Sequence, residues 1–324
     1  MKFALLIDKI LHESFTVNDD GCFKIKTGEP YSHHSSIGNK TAFGVVSWPY
    51  VFKGDFIKLS EWDELPKNDY DVIIIIVEKF YDEYPISKIR KTYPNAVIIA
   101  SMKEDTVFSY NYENAVKFYN DCDAVIFPFY KEPFSLISNI QNDVKKPIYS
   151  IAQPYNIKYL YNKFYKKNRN EMIFSYVATV PRRMASTESF AVHLGQEFKI
   201  PVLRKQIEFY PGRSQWNDFL EIFTPTTFNI NCDPTPSQGH QGIQCAIFGI
   251  INIGGLTDSH KILFPETATQ NLNVLENRVA EYLSNPQKRF EVIQYALNKL
   301  WEYYSYESAK KRLDNILKDL SDKL

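Results

Sequence analysis

The stretch Phe228-Asn-Ile-Asn-Cys-Asp-Pro-Thr-Pro-Ser-Gln-Gly-His-Gln-Gly-Ile-Gln-Cys-Ala-Ile-Phe-Gly-Ile-Ile-Asn-Ile-Gly-Gly255 organises the chain. Phe228 to Cys232 is a short run of β-forming residues and reads as a strand. Asp233 to Gly242 holds Pro234, Pro236, Gly239 and Gly242 and reads as a polar loop. From Gly242 to Phe248 the apolar Ile243, Ala246 and Ile247 recur at helical spacing, so a short helix is expected. Gly249 stands where a helix C-cap glycine belongs. Ile250 to Ile253 is the next buried strand, Gly254-Gly255 closes it, and the chain runs on to Phe264-Pro265-Glu266.

Such a segment suits an anionic ligand. Gly239 and Gly242 can bring bare backbone N–H groups close to a phosphate, and the following helix presents its positive end at the same place. His240, Gln241 and Gln244 add side-chain donors and acceptors. The same residues also fit an ordinary strand, turn and helix whose glycines serve only the path of the chain.

The order and spacing of this stretch resemble the C-terminal nucleotide-sugar-binding domain of GT-B fold glycosyltransferases, the family 1 and family 4-like enzymes. Those carry a loop of the type Pro-Ser-x-x-Glu-Gly-x-Gly, a helix with Glu-Ala-x-Ala-x-Gly, an apolar strand and Gly-Gly. The counterparts here are Pro236-Ser237-Gln238-Gly239-His240-Gln241-Gly242, then Gln244-Cys245-Ala246-Ile247-Phe248-Gly249, then Ile250 to Gly255. Both glutamates of the pattern are missing. Gln244 stands where the ribose-binding glutamate is expected; it can hydrogen-bond a hydroxyl, without charge assistance.

Outward from this stretch, strands and helices alternate. Phe3 to Ile7, Asp71 to Val77, Ala96 to Ala100, Ala124 to Pro128 and Pro147 to Ala152 read as strands. Tyr84 to Tyr93, Glu113 to Asn120 and Pro133 to Asn142 read as helices between them. Residues 12 to 56 are broken by glycines. A second series follows: strand Met172 to Val177, a turn through Arg182 and Arg183, helix Thr187 to Phe198, strand Ile200 to Leu203 running into Arg204-Lys205, then Tyr210-Pro-Gly212-Arg213 and helix Trp216 to Phe223. The pattern predicts doubly wound parallel sheets. From Gln270 onward all is helical, with Asn285-Pro286 opening a helix and Tyr304-Ser305-Tyr306 a corner before the last one. The expected fold is α/β, a GT-B arrangement of two Rossmann-like domains facing a cleft with a helical C-terminal tail. The boundary is expected between Pro154 and Asn170, and the resemblance implies a last helix that can cross back onto the N-terminal domain. Residues 1–165 would form an acceptor-binding domain and residues 166–324 the nucleotide-sugar-binding domain.

The 324 residues suffice for two medium domains, and 44% hydrophobic content fits a globular chain. Lys+Arg and Asp+Glu are both 38, so bulk charge gives no reason for nucleic-acid binding. The four cysteines, Cys22, Cys122, Cys232 and Cys245, are scattered and form no CxxC pair, which indicates neither a zinc site nor a disulfide framework. His33-His34 lacks a third ligand in metal spacing and reads as an exposed loop. The N-terminus is too short an apolar run for a signal peptide, and Val72 to Val77 is too short to span a membrane. No transmembrane segment is expected, and a cytoplasmic location is.

The resemblance implies an enzyme that moves a sugar from a nucleotide sugar to a hydroxyl acceptor. It implies no metal and no cofactor beyond the donor itself. The leaving diphosphate must then be stabilised by basic side chains and a helix N-terminus. Arg182 and Arg204, with Arg183 and Lys205, follow the first two strands of the second half and fit that role. Gly212, Arg213, Ser237, Gly239, His240, Gln241, Gly242 and Gln244 complete the expected donor site. On the acceptor side Asp105, beside Glu104, is favoured over Asp8 as the base. The acceptor class stays open between a glycan, a small molecule and a modified nucleobase. One rival is a viral-type glycosyltransferase acting on modified DNA bases, which predicts a basic stripe around Lys53, Lys58, Lys163, Lys166 and Lys167. A rival of another class is a non-catalytic nucleotide-sugar-binding protein, favoured by the missing glutamates.

Overall fold

The computed structural model describes residues 1–7, 13–30, 47–63, 69–77, 86–102, 112–128, 142–166, 172–178, 181–206, 223, 225–232 and 239–322. The chain divides into two compact units, Met1–Tyr155 with Tyr304–Leu324, and Asn156–Tyr303. The division, at Tyr155/Asn156, lies within the span Pro154 to Asn170 and ahead of 165/166, and the last helix belongs to the first unit.

The first unit is built on an eight-stranded sheet. In chain order its strands are β1 (Phe3–Ile7), β2 (Phe15–Asn18), β3 (Gly21–Lys24), β4 (Asp55–Lys58), β5 (Val72–Ile76), β6 (Val97–Ser101), β7 (Ala124–Phe127) and β8 (Ile148–Ser150). They lie in the order β3-β2-β4-β1-β5-β6-β7-β8. Strands β1 and β5 pair in parallel from Phe3↔Val72 to Ile7↔Ile76 and are buried along their whole length. Alternate residues serve opposite faces. Phe3, Leu5 and Ile7 join a core with helix α1 (Ser47–Phe52), while Ala4 and Leu6 join one with α2 (Ile86–Thr92) and α3 (Tyr112–Asp121). The sheet is therefore covered on both faces, as an apolar parallel sheet requires.

The sheet is not parallel throughout. β2 pairs antiparallel with both β3 and β4. The β2–β3 turn contains Asn18-Asp19-Asp20-Gly21; Asp20 N–H donates to Asn18 Oδ1 at 2.9 Å, and Gly21 takes φ 135°. This is turn chemistry between two alternating runs, a hairpin signal that the glycine-broken reading of residues 12 to 56 passed over.

The second unit holds a four-stranded sheet, in the order β10-β9-β11-β12. Its strands are β9 (Phe174–Ala178), β10 (Val202–Gln206), β11 (Phe228–Ile230) and β12 (Ile251–Ile253), all parallel. Around them lie α4 (Ile157–Phe164), α5 (Pro181–Glu197), α6 (His240–Phe248), α7 (Asp258–Leu263), α8 (Leu272–Ser284) and α9 (Pro286–Tyr304). Two differences from the sequence reading bear on the site. Helix α5 starts at Pro181, not near Thr187, because proline is well suited to the first helical position. Strand β10 runs on through Arg204 and Lys205 to Gln206; charged residues are at home on an edge strand.

Helix α10 (Tyr306–Ser321) returns to the first unit. Ser305 caps it, accepting from Ser308 N at 3.0 Å. Its Ala309, Leu313, Ile316 and Leu320 join the core that holds Phe3 and Trp48. Asp319 accepts a hydrogen bond from the Tyr149 hydroxyl. The two chain crossings meet where Tyr155 N–H donates to Tyr304 C=O at 2.8 Å.

Candidate functional site

Strands β11 and β12 are tied together by buried amides. Asn229 and Asn252 face each other in register at the centres of their strands and are fully buried. Asn229 Nδ2 donates to Asn252 Oδ1 at 2.7 Å, and Asn252 Nδ2 donates to His260 Nδ1 at 3.1 Å. With Nδ1 accepting, the imidazole proton sits on Nε2, which is buried and has no hydrogen-bond partner among the described residues. Burial holds the His260 pKa down at about 4, so the ring is neutral. It lies under the Gly-Gly turn: a Cβ at Gly255 would come 2.7 Å from Nδ1.

Gln241 extends the network toward the loop. Its Oε1 accepts from Asn231 Nδ2 at 2.8 Å, and its Nε2 donates to Asn229 Oδ1 at 3.4 Å. Both ends of this side chain thus hold the end of β11. Cys232 N–H donates to Thr187 Oγ1 of α5 at 3.0 Å, which ties the chain just past the same strand to a second helix.

Helix α6 begins at His240, one residue past Gly239, and not at Gly242 as the apolar spacing predicts. Gly239 is its N-cap in the left-handed region, with φ 78°. A Cβ there would stand 2.2 Å from Thr257 Oγ1, and one at Gly242 would stand 2.7 Å from Ser259 Oγ. These glycines therefore let the first turn of α6 pack on the start of α7, where Thr257 is the N-cap and Ser259 Oγ donates to Gly239 C=O. Close packing is what the missing side chains serve on that face. The amide ends of the α6 first turn remain a place where negative charge is favoured. His240 is exposed there, Gly242 is buried, and Gln241 and Gln244 are half-buried.

The basic residues divide into two sets. Arg182 and Arg183 stand in the first turn of α5, not in a loop before it. Arg204 and Lys205 lie within β10, opposite Tyr176 and Val177 of β9. Arg204 is 54% exposed and pairs with Glu188 of α5 at 3.0 Å. Glu188 also hydrogen-bonds Tyr176, whose phenol is pushed up first by burial and then by that carboxylate. Arg204 is thus held to α5, and it does not follow β10 as the sequence reading places it.

Asp8, His33, His34, Asp105, Gly212, Arg213 and Ser237 lie outside the described residues. Of the lysines named for a basic stripe, Lys53 lies 3.9 Å from Asp19, Lys58 lies 3.7 Å from Glu61, and Lys163 donates to the Tyr159 hydroxyl at 3.0 Å. Among the described residues no group of three or more His, Cys, Asp or Glu is placed to hold a metal ion, and no helix is long and apolar enough to cross a membrane. All four cysteines are free and buried.

The sequence reading missed Asn229, Asn252, His260 and helix α7. The signals were present. Two strands carry a lone asparagine between apolar residues, and Thr257-Asp258 after Gly-Gly is a helix start.

No protein-family model and no curated protein matches the sequence. Solved structures do match in fold. One is an alpha-glucosyltransferase in complex with UDP and a 13-mer DNA containing an HMU base, with TM-score 0.61 and 13% identity over 98% of this chain and 99% of that chain. A second, with UDP-glucose and DNA containing an abasic site, gives TM-score 0.60 and 12% identity over 98% of each chain. A third, HepE from Anabaena in complex with UDP, gives TM-score 0.60 and 10% identity over 98% of this chain and 100% of that one. The chain has the fold of GT-B glycosyltransferases, α/β with C-terminal helices, over nearly its whole length.

Proposed function

We propose that this chain is a metal-independent glycosyltransferase of the cytoplasm. It transfers a sugar from a nucleotide sugar to a hydroxyl acceptor. The observation that carries this reading is the end-to-end likeness to glycosyltransferases in complex with UDP, at 98% coverage of this chain. The strand, Gly-loop, helix, strand and Gly-Gly order of residues 228 to 255 supports it independently. The sugar C1–O bond to the diphosphate breaks, the acceptor oxygen bonds C1, and the acceptor proton passes to a base, for which Asp105 is the candidate. The unit Met1–Tyr155 with Tyr304–Leu324 serves the acceptor and Asn156–Tyr303 the donor.

The donor diphosphate lies against the α5 and α6 N-termini, with Arg182 and Arg183 as its charged contacts and Arg204 and Lys205 as the second pair. Gly212, Arg213, Ser237, Gly239, His240, Gln241, Gly242 and Gln244 frame the rest. A charge-assisted contact contributes about 1.5–3 kcal/mol, or roughly ten- to a hundredfold in affinity. Arg182→Ala is therefore expected to weaken UDP by that factor in calorimetric titration and to leave uridine binding unchanged. Equal UDP binding by parent and variant removes Arg182 from the site.

UDP and UDP-glucose should raise the melting temperature of the parent protein by mass action. A panel of nucleotides and nucleotide sugars that produces no shift overturns the donor reading. Turnover should continue in EDTA. Complete loss, restored by manganese or magnesium, overturns metal independence.

A modified DNA base is the second reading for the acceptor, favoured by the two similar structures with DNA. Lys53 and Lys58 lie beside Asp19 and Glu61, so the charge there is mixed. DNA containing an HMU base, offered beside glycan and small-molecule acceptors with UDP-glucose, decides between them. Nucleotide-sugar binding without transfer to any acceptor returns the non-catalytic reading.

A further inference from the structure

The second unit contains a pocket that shares no residue with the donor site proposed above. Its volume is about 340 Å3, and it opens between the end of α7, the segment Phe264 to Thr267, and helices α8 and α9. That size lies at the low end of small-ligand sites, roughly 300–1,000 Å3, and suits one or two sugar rings.

The lining has two characters. Phe264 and Val292 give an apolar wall, and the ring of Tyr295, 43% exposed, is also part of the lining. The polar part is an ion-pair cluster around Glu266. Glu266 Oε1 accepts from Lys288 Nζ at 2.9 Å; its Oε2 accepts from the Tyr282 hydroxyl at 3.1 Å and lies 3.6 Å from Arg278. Glu291, also in the lining, accepts from Gln287 at 3.0 Å.

Glu266 is held by Lys288, and Arg278 is shared between it and Glu281, which it meets at 2.7 Å; with Glu291 also in the lining, the cluster is no site for a free anion. It still offers hydrogen bonds. An ammonium has three protons and a carboxylate oxygen more than one lone pair. Lys288 and Glu266 keep 26% and 35% side-chain exposure, so an entering group can reach both. A ligand that fits must donate and accept at neighbouring atoms and carry an apolar face. A pyranose does so: its hydroxyls meet the Glu266–Lys288 pair, and its C–H face meets Tyr295 through weak C–H contacts.

We propose that this pocket is a second carbohydrate-binding site, separate from the donor site, that takes a neutral mono- or disaccharide. The test is calorimetric titration of the full chain with glucose, N-acetylglucosamine, maltose and cellobiose, with and without saturating UDP. At least one sugar should bind in the millimolar range. Tyr295→Ala, at an exposed position where the fold should survive, should weaken that sugar at least about fivefold, and UDP should leave its Kd unchanged. Glu291→Gln should keep most of the binding, since the amide still hydrogen-bonds. Absence of binding by all four sugars, an unchanged Kd in Tyr295→Ala, or displacement by UDP overturns the site. Failure of UDP itself to bind would count against the donor reading alone, because the Tyr295→Ala comparison needs no nucleotide.

Discussion

Gly239→Ala is expected to destabilise the second unit by about 3 kcal/mol. Two costs combine. The residue has φ 78°, where an L side chain costs roughly 1 kcal/mol. The added Cβ would also stand 2.2 Å from Thr257 Oγ1 and 2.5 Å from Thr257 Cβ. Thr257 is 4% exposed and caps α7, so it has no room to yield, and overpacking of this kind costs roughly 1–3 kcal/mol. Gly28 provides the matched control. Its φ is 68°, and a Cβ there would meet nothing within 4 Å. Gly28→Ala should therefore show the backbone cost alone, about 1 kcal/mol. Urea denaturation of both variants and the parent measures the difference. Equal losses at the two positions would mean that the contact with Thr257 carries no weight.

Acidification should destabilise the second unit through His260. Burial lowers its folded-state pKa to about 4, against 6.5 for an ordinary histidine. The unfolded chain therefore binds a proton first as pH falls. The stability contributed by the neutral ring is full above pH 6.5 and is lost progressively between pH 6.5 and 4. One pH unit corresponds to about 1.4 kcal/mol, so the loss over this window is about 3 kcal/mol. His260→Gln keeps an acceptor for Asn252 and removes the titration. Its stability should fall less steeply than that of the parent over the same window, measured by urea midpoints at half-unit steps. Parallel slopes for parent and variant would exclude His260 as the source.

Most of the strand-helix order was legible because it rests on apolar periodicity. Val72 to Ile76 and Phe3 to Ile7 can be little else than central parallel strands. The segments that escaped are those where polar residues decide. The β2–β3 hairpin is written in Asn18-Asp19-Asp20-Gly21, and α7 in the cap at Thr257. The ends of α5 and β10 were misjudged for a related reason. Arginine and lysine look like loop residues, yet Arg204 lies within an edge strand, where Glu188 is available to it. At the candidate site, the glycines stand out in the sequence but their neighbours do not. Only the folded chain brings Thr257 and Ser259 against Gly239 and Gly242. His260 joined the site by the same route, through Asn252, without a spacing that a sequence scan would detect.

The return of α10 to the first core sets an order of assembly during synthesis. β1 and α1 are made before α10, so the core that holds Phe3 and Trp48 stays incomplete until Ala309, Leu313, Ile316 and Leu320 are made. The whole second unit, Asn156–Tyr303, emerges in between. The first unit must therefore wait with apolar surface showing, while the second needs no residue made after Tyr303. A nascent chain halted before Tyr306 would hold every residue of the second unit and an unsealed first one.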